Sequence, residues 1–192
     1  MKLVFATNNG HKLEEARSLA GDRITILSLS DIGCHEELPE TSETIEGNSL
    51  QKASYVAQKY GLSCFSDDTG LFVDALDGAP GVYSARYAGP ECSPADNIRK
   101  LLHEMRDKEI RDARFRTVVT FCPAEGEPVQ FEGGIEGEIA REPSGNAGFG
   151  YDPIFICKEN GISFADMTAE MKNSLSHRGR ALSKLFNYLK LK

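Results

Sequence analysis

The chain has 192 residues, 40% of them hydrophobic and 27% charged, with a formal charge of −7. That length suits one large domain, or two closely joined lobes, with a core that needs no disulfide or metal staple. The acidic balance argues against a broad nucleic-acid footprint, which needs a basic face, but not against a small anionic ligand held by a few local cations. The five cysteines are odd in number and widely spaced, with no C-x-x-C pair. They read as reduced thiols of a cytoplasmic protein and not as a zinc site, with Cys64, Cys122 and Cys157 in apolar runs as core residues. The apolar run at the N-terminus is too short for a signal peptide, and no stretch approaches a membrane span.

Leu3–Ala6 is a continuous apolar run, as in a strand buried on both faces. Thr7, Asn8, Asn9 and Gly10 break it, and His11–Ala20 then has helical spacing through Leu13, Ala16, Leu19 and Ala20. A strand, a tight polar loop and a helix start make an anion site. Lys12, in the first turn, opposes the helix dipole, which is explained if an anion sits there, although a capped helix with a surface lysine reads equally from the spacing. Ile24–Leu29 is a second strand. Asp31–Glu46 is irregular and acidic; most of its carboxylates are solvated, but one near Asp68 can share a divalent cation, because Mg²⁺ is usually held by one or two carboxylates plus substrate phosphates. The next helix spans Asn48–Tyr60, with Leu50, Ala53, Val56, Ala57 and Tyr60 as its buried stripe and Lys52 off that stripe.

Ser66-Asp67-Asp68-Thr69-Gly70 stands between two strand-like segments, at a break marked by glycine. Neighbouring strand residues face opposite ways, so Asp67 and Asp68 are expected to have different jobs: one binds a metal or activates water, the other fixes the turn. A polar turn without chemistry is the plain alternative. Asp77–Gly81 is a tight turn, Ser93 caps a helix with Pro94 at its first position, and Ile98, Leu101, Leu102 and Met105 form its buried face. Ala113–Cys122 alternates as a half-exposed strand, returning through Pro123–Pro128 into Val129–Ile139, where Gly133, Gly134 and Gly137 suggest bulges. This ribbon suits an extended sheet or a dimer surface.

From Glu142 to Pro153, Gly145, Gly148 and Gly150 accompany Phe149 and Tyr151, ahead of a strand Ile154–Cys157. Glycines let backbone approach a ligand and aromatics stack on a planar base; aromatics that plug the core beside a loop are the alternative. Asp152 can accept a hydrogen bond or brace the loop. Phe164–Lys172 reads as one short helix. Ser176 caps a last helix that carries His177 and Arg178 in its first turn and a core stripe of Leu182, Leu185, Phe186 and Leu189. Two cation-bearing helix starts in an acidic chain suggest one shared anionic ligand.

Six segments in this order resemble the inosine triphosphate pyrophosphatase-like enzymes: Thr7–Lys12, Glu46–Asn48 with Lys52-Ala53, Ser66–Leu71, Gly78–Tyr87, Gly148–Pro153 and Ser176–Gly179. The resemblance implies an α/β fold over residues 1–192, with an elongated mixed sheet, flanking helices and two lobes around a cleft, assembled as a homodimer. It implies hydrolysis of ITP, dITP or XTP to the monophosphate and pyrophosphate, with Mg²⁺ required. Carried over by position, Thr7, Asn8, Asn9, Gly10, His11, Lys12 and Lys52 hold the triphosphate. Asp68 is the proton acceptor and, with Glu40, a metal ligand. Thr69 contacts substrate, and Phe149, Gly150, Tyr151, Asp152, Lys172, His177 and Arg178 hold the base and nearby groups.

The residue types suit that chemistry. A carboxylate can orient a water and take its proton, and lysines can stabilise charge on a departing pyrophosphate. A site that donates to the 6-keto group of hypoxanthine or xanthine leaves groups unpaired against adenine. A pyrimidine triphosphate pyrophosphatase, a noncatalytic nucleotide-binding module and a single-stranded nucleic-acid binder are the alternatives; the charge of −7 weighs against the last.

Overall fold

A computed structural model describes residues 1–191 as a mixed α/β protein. Its strands are β1 (Lys2–Phe5), β2 (Thr25–Leu27), β3 (Cys64–Val73), β4 (Pro80–Gly81), β5 (Asp112–Cys122), β6 (Val129–Ile139) and β7 (Phe155–Cys157). The helices among the described residues are α1 (Gly10–Ala20), α2 (Ile45–Tyr60), α3 (Pro94–Glu104), α4 (Ala169–Leu175) and α5 (His177–Lys190), joined by several single 3₁₀ turns. The strand order is β2-β1-β3-β5-β6-β7, with β4 beside β3. The chain divides into two compact units, the first made of Met1–Asp68, Thr117–Gly133 and the segment from His177 onward, the second of Thr69–Arg116 and Gly134–Ser176.

In the first unit, β1 pairs in parallel with β2 (Leu3↔Ile26) and with β3 (Val4↔Cys64). Its continuous apolar run is explained by two cores. Leu3 and Phe5 face one that contains Ala16, Phe65, Val119, Leu182 and Phe186, while Val4 and Ala6 face another with Leu29, Val56 and Cys64. Phe5 and Phe65 stack at 4.3 Å between ring centroids. α1 is capped by Asn9, whose side chain accepts from the Lys12 amide at 3.2 Å. α2 is capped by Thr44 and ends at Gly61 in the left-handed region, which glycine adopts at least cost. α2 therefore begins three residues before the expected Asn48.

In the second unit, β4 pairs antiparallel with β3 (Leu71↔Gly81) and β7 antiparallel with β6 (Ile139↔Phe155). The core gathers Leu71, Leu101, Met105, Phe115, Ile139, Tyr151, Phe155 and Phe164. Ser93 caps α3 and Pro94 opens it, as expected.

Further expectations are corrected. Ser66–Gly70 is no break: β3 runs through it without interruption. Gly70 is there for closeness, since a Cβ would lie 2.7 Å from the Phe72 ring and 2.8 Å from the Gly81 carbonyl. The buried face of α2 is Asn48, Ser49, Lys52, Ala53 and Val56, and Leu50 is exposed. Lys52 therefore lies on the face that the apolar pattern hid. β5 alternates only as far as Arg116; Thr117 to Cys122 is buried on both faces. Phe164–Lys172 is not one helix, because Met167 and Thr168 are extended, and Thr168 caps a separate α4. In β6 a Cβ on Gly133 would stand 2.1 Å from the His177 carbonyl and 2.6 Å from the Ala181 amide, so this residue lets α5 seat on the strand.

Candidate active site

In the first unit the loop after β1 is shaped by its own side chains. Thr7 Oγ1 accepts from the Asn9 amide at 3.1 Å, and Asn9 caps α1. Asn8, Gly10 and His11 are exposed, and Lys12 points inward. Its Nζ donates to Asp67 Oδ1 at 3.0 Å, while Arg178 Nε donates to Asp67 Oδ2 at 2.8 Å. Arg178 also donates from Nη1 to Glu15 Oε2 at 2.7 Å. The anion shared by the two cation-bearing helix starts is thus a carboxylate of the chain itself. Asp67 is fully buried, and burial alone would raise its pKa; Lys12, Arg178 and Lys52 outweigh that and hold it well below its ordinary value. Arg178, nearly as buried, loses by desolvation but is held above its ordinary value by Asp67 and Glu15. Lys12 is pulled down, by burial first and then by its cationic neighbours Arg178 and Lys52 against the opposing pull of Asp67.

Asp68, one residue on, has a different environment. Lys52 Nζ lies 3.7 Å from Asp68 Oδ1 and donates to Glu40 Oε1. Burial raises the Asp68 carboxyl above its ordinary value; Lys52 and Lys12 offset this only in part, and Glu40 and Asp67 add to it. Lys52 is held above its ordinary value because Asp68, Glu40 and Asp67 outweigh its own burial. The small side chains of Ser49 and Ser66, whose hydroxyls lie 3.2 Å apart, let α2 approach β3 closely enough for this. Two adjacent aspartates therefore have two environments: Asp67 is a buried counter-ion for cations, and Asp68 is a partly buried carboxylate whose pKa is raised.

The donor set fits a divalent cation only in part-protein fashion. Glu40 and Asp68 converge on one ammonium, so both carboxylates reach a common cation. Among the described residues no group of three or more His, Cys, Asp or Glu side chains is placed to hold a metal. Two carboxylates are too few for an all-protein cage, so a divalent cation held here would need further ligands.

In the second unit the glycine-rich loop ends on a different cluster. Asp152 Oδ2 accepts from the Phe149 amide and from Lys172 Nζ, each at 2.7 Å. Lys172 is buried, and its Nζ stands 4.6 Å from the centroid of the Phe149 ring. A Cβ on Gly148 would meet Asp152 Oδ2 at 2.1 Å, so glycine there lets the carboxylate fold back over its own loop. Tyr151 lies in the core and donates its hydroxyl to the Ser84 carbonyl at 2.9 Å. Ser84 Oγ accepts from the Leu71 amide and donates to the Gly81 carbonyl, which ties the loop after β4 to β3. Of the two aromatics, Phe149 and its neighbour Gly150 are partly exposed and Tyr151 is a packing residue. Thr69 is partly exposed on β3, and His177, buried, begins α5 of the first unit.

Glu15 went unnoticed in the sequence, yet it follows Lys12 by three residues on α1, a spacing that puts both on one helix face. The counter-ion role of Asp67 had no local signal, since its partners are 55 and 111 residues away.

These features define an α/β protein in which a strand–loop–helix turn lies beside two cations gathered on a buried carboxylate. The sequence model of the Ham1 family matches residues 3–188, and the chain belongs to that family. It is 51% identical to the dITP/XTP pyrophosphatase of Flavobacterium johnsoniae, covering 98% of both chains, and 50% identical to that of Porphyromonas gingivalis, covering 98% of this chain and 97% of the relative. Its fold matches the HAM1 protein of Coxiella burnetii with a TM-score of 0.91 at 36% identity over 100% of both chains. It matches the Staphylococcus aureus Ham1 protein at 0.90 and 34%, over 99% and 98%.

Proposed function

We propose that the chain is a nucleoside triphosphate pyrophosphatase that hydrolyses ITP, dITP and XTP to the monophosphate and pyrophosphate with Mg²⁺, removing deaminated purines from the nucleotide pool. The observation that carries this reading is the division of labour between adjacent aspartates. Asp67 organises Lys12 and Arg178, and Asp68 keeps a raised carboxyl beside Lys52 and Glu40. The names of the curated relatives support the substrate class.

Thr7 to Lys12 and Lys52 bind the triphosphate, the loop and helix start through amides and the lysines through charge. Asp68 and Glu40 hold the metal, which when bound neutralises phosphate charge and lowers the pKa of water. Asp68 accepts the proton of the attacking water, a role suited to a carboxyl raised toward working pH. Lys12 and Lys52 stabilise charge on the departing pyrophosphate. Thr69 contacts substrate; Phe149 offers its ring to the base, and Gly150, Tyr151, Asp152, Lys172 and His177 shape the recognition of its 6-keto group. Arg178 commits Nε and Nη1 to Asp67 and Glu15, so its part is chiefly to set the local charge. Assembly as a homodimer in the cytoplasm belongs to the same reading and is checked by sedimentation equilibrium and by fractionation.

The deciding experiment measures pyrophosphate release from ITP, XTP, dITP, ATP, GTP and dTTP, each with Mg²⁺ and with a chelator. Metal-dependent release confined to the inosine and xanthosine nucleotides is expected. Equal kcat/KM for ATP or GTP overturns the specificity, activity centred on dTTP moves the enzyme to pyrimidines, and no release from any overturns catalysis.

A further inference from the structure

The second unit contains a cavity of about 590 Å³ that none of the chemistry above uses. Arg99, His103 and Arg106 reach it from α3 and the turn beyond, Arg111 from the segment before β5, and Arg141 from the segment after β6; Leu102 and Met105 complete the lining. No acidic side chain lines it, although the chain as a whole carries a charge of −7. Four guanidinium groups gather around one concavity, three of them exposed at its rim.

Among the described residues, the only one of these four arginines with a carboxylate partner is Arg99. Arg111 donates from Nε to the Ile139 carbonyl, from Nη1 to Met105 and from Nη2 to Ala140, so it is fixed in place by carbonyls alone. Arg106 Nη2 lies 2.8 Å from His103 Nδ1. Among the described residues neither Arg106, Arg111 nor Arg141 has a carboxylate at ion-pair distance. Arg99 pairs with Asp96 at 2.8 Å, but both side chains are largely exposed, and such a pair exchanges readily for a better anion. Burial and the neighbouring Arg141 guanidinium both lower the Arg111 pKa, consistent with cations crowded without a counter-charge.

We propose that this cavity is a second anion site, which binds a small molecule carrying phosphate charge, either a diphosphate or a nucleotide, through residues that take no part in the candidate active site. Planar arginine forks match phosphate oxygens in pairs. The volume is that of a small-molecule pocket and exceeds the need of one inorganic ion. Arg111 supplies a fixed charge, Arg106 and Arg141 supply exposed donors, and Leu102 offers apolar surface to the body of a nucleotide. Neither binding nor its test requires turnover.

The test is hydrogen exchange of the full chain in the presence of a chelator, with pyrophosphate, inosine monophosphate or sulfate at matched ionic strength. Pyrophosphate or inosine monophosphate is expected to slow exchange several-fold in peptides covering 99–111 and 139–141, and which of them does so identifies the source of the phosphate. Combining Arg106→Ser with Arg141→Ser removes two exposed side chains and is expected to weaken that protection about tenfold, with thermal unfolding unchanged. No slowing in those peptides, slowing that survives the double substitution, or equal slowing by sulfate overturns the proposal. Should the double variant fail to fold, the comparison with sulfate on the native chain decides alone.

Discussion

Replacing Asp67 by asparagine keeps the shape of the side chain and removes the charge on which Lys12 and Arg178 converge. The carboxylate is fully buried, the Arg178 side chain is 3% exposed and that of Lys12 is 15% exposed. Removing one partner of a buried ion pair typically costs about 3–5 kcal/mol, because the remaining charge is left desolvated and uncompensated. Two features put this site at the lower end: Arg178 keeps Glu15 at 2.7 Å, and Lys12 has some access to water. A loss of about 3 kcal/mol is therefore expected at pH 7, which for a chain of this size lowers Tm by roughly 6–12 °C. The native pKa of Asp67 lies below its ordinary 3.8, so its contribution is present above that pH and is lost as pH falls through the native value. The gap between native and Asp67→Asn chains should accordingly be widest near neutrality and close below about pH 4. Urea unfolding followed by circular dichroism at a series of pH values measures it. A difference under about 1 kcal/mol at pH 7, or one that widens in acid, refutes the counter-ion account.

Asp68→Asn should have the opposite effect on stability. Its native carboxyl titrates above the ordinary 3.8, so the stability linked to its protonated form is present at low pH and lost as pH rises through the native value. The neutral variant is expected to unfold at or above the native temperature at pH 7 while pyrophosphate release falls by about 10²–10⁴-fold, the usual contribution of a positioned base. Gly133→Ala forces a methyl against the His177 carbonyl and the Ala181 amide; thermal unfolding should report a loss of about 1–3 kcal/mol or more, as overpacking does. Phe149→Ala removes a stacking surface worth about 1–3 kcal/mol per base, so KM for ITP should rise roughly 5- to 150-fold with a smaller change in kcat.

Much of this chain was legible without coordinates, where the signal was local. The buried run Leu3–Ala6, the polar break at Thr7–Gly10, the Ser93-Pro94 helix start and the core stripe of α5 each follow from periodicity or capping over a few residues. The same local reading marks Lys12 and Arg178 as candidates, because cations in first helical turns go against local preference, and marks Asp68 through its paired carboxylate. What the linear pattern concealed was which polar groups go inside. Lys52 sits on the buried face of α2 because Glu40 and Asp68 meet it there, and a hydrophobicity count therefore assigns that face to Leu50 instead. Asp67 and Asp68 are adjacent and chemically identical; strand alternation puts them on opposite faces, but only tertiary structure gives each its environment. One is surrounded by cations from α1 and α5, the other sits where burial outweighs two lysines, and those neighbours come from residues far along the chain. Local sequence thus determined the elements and the residue types available for chemistry. Long-range packing decided burial and charge environment, and these set the pKa of each group and hence what it can do.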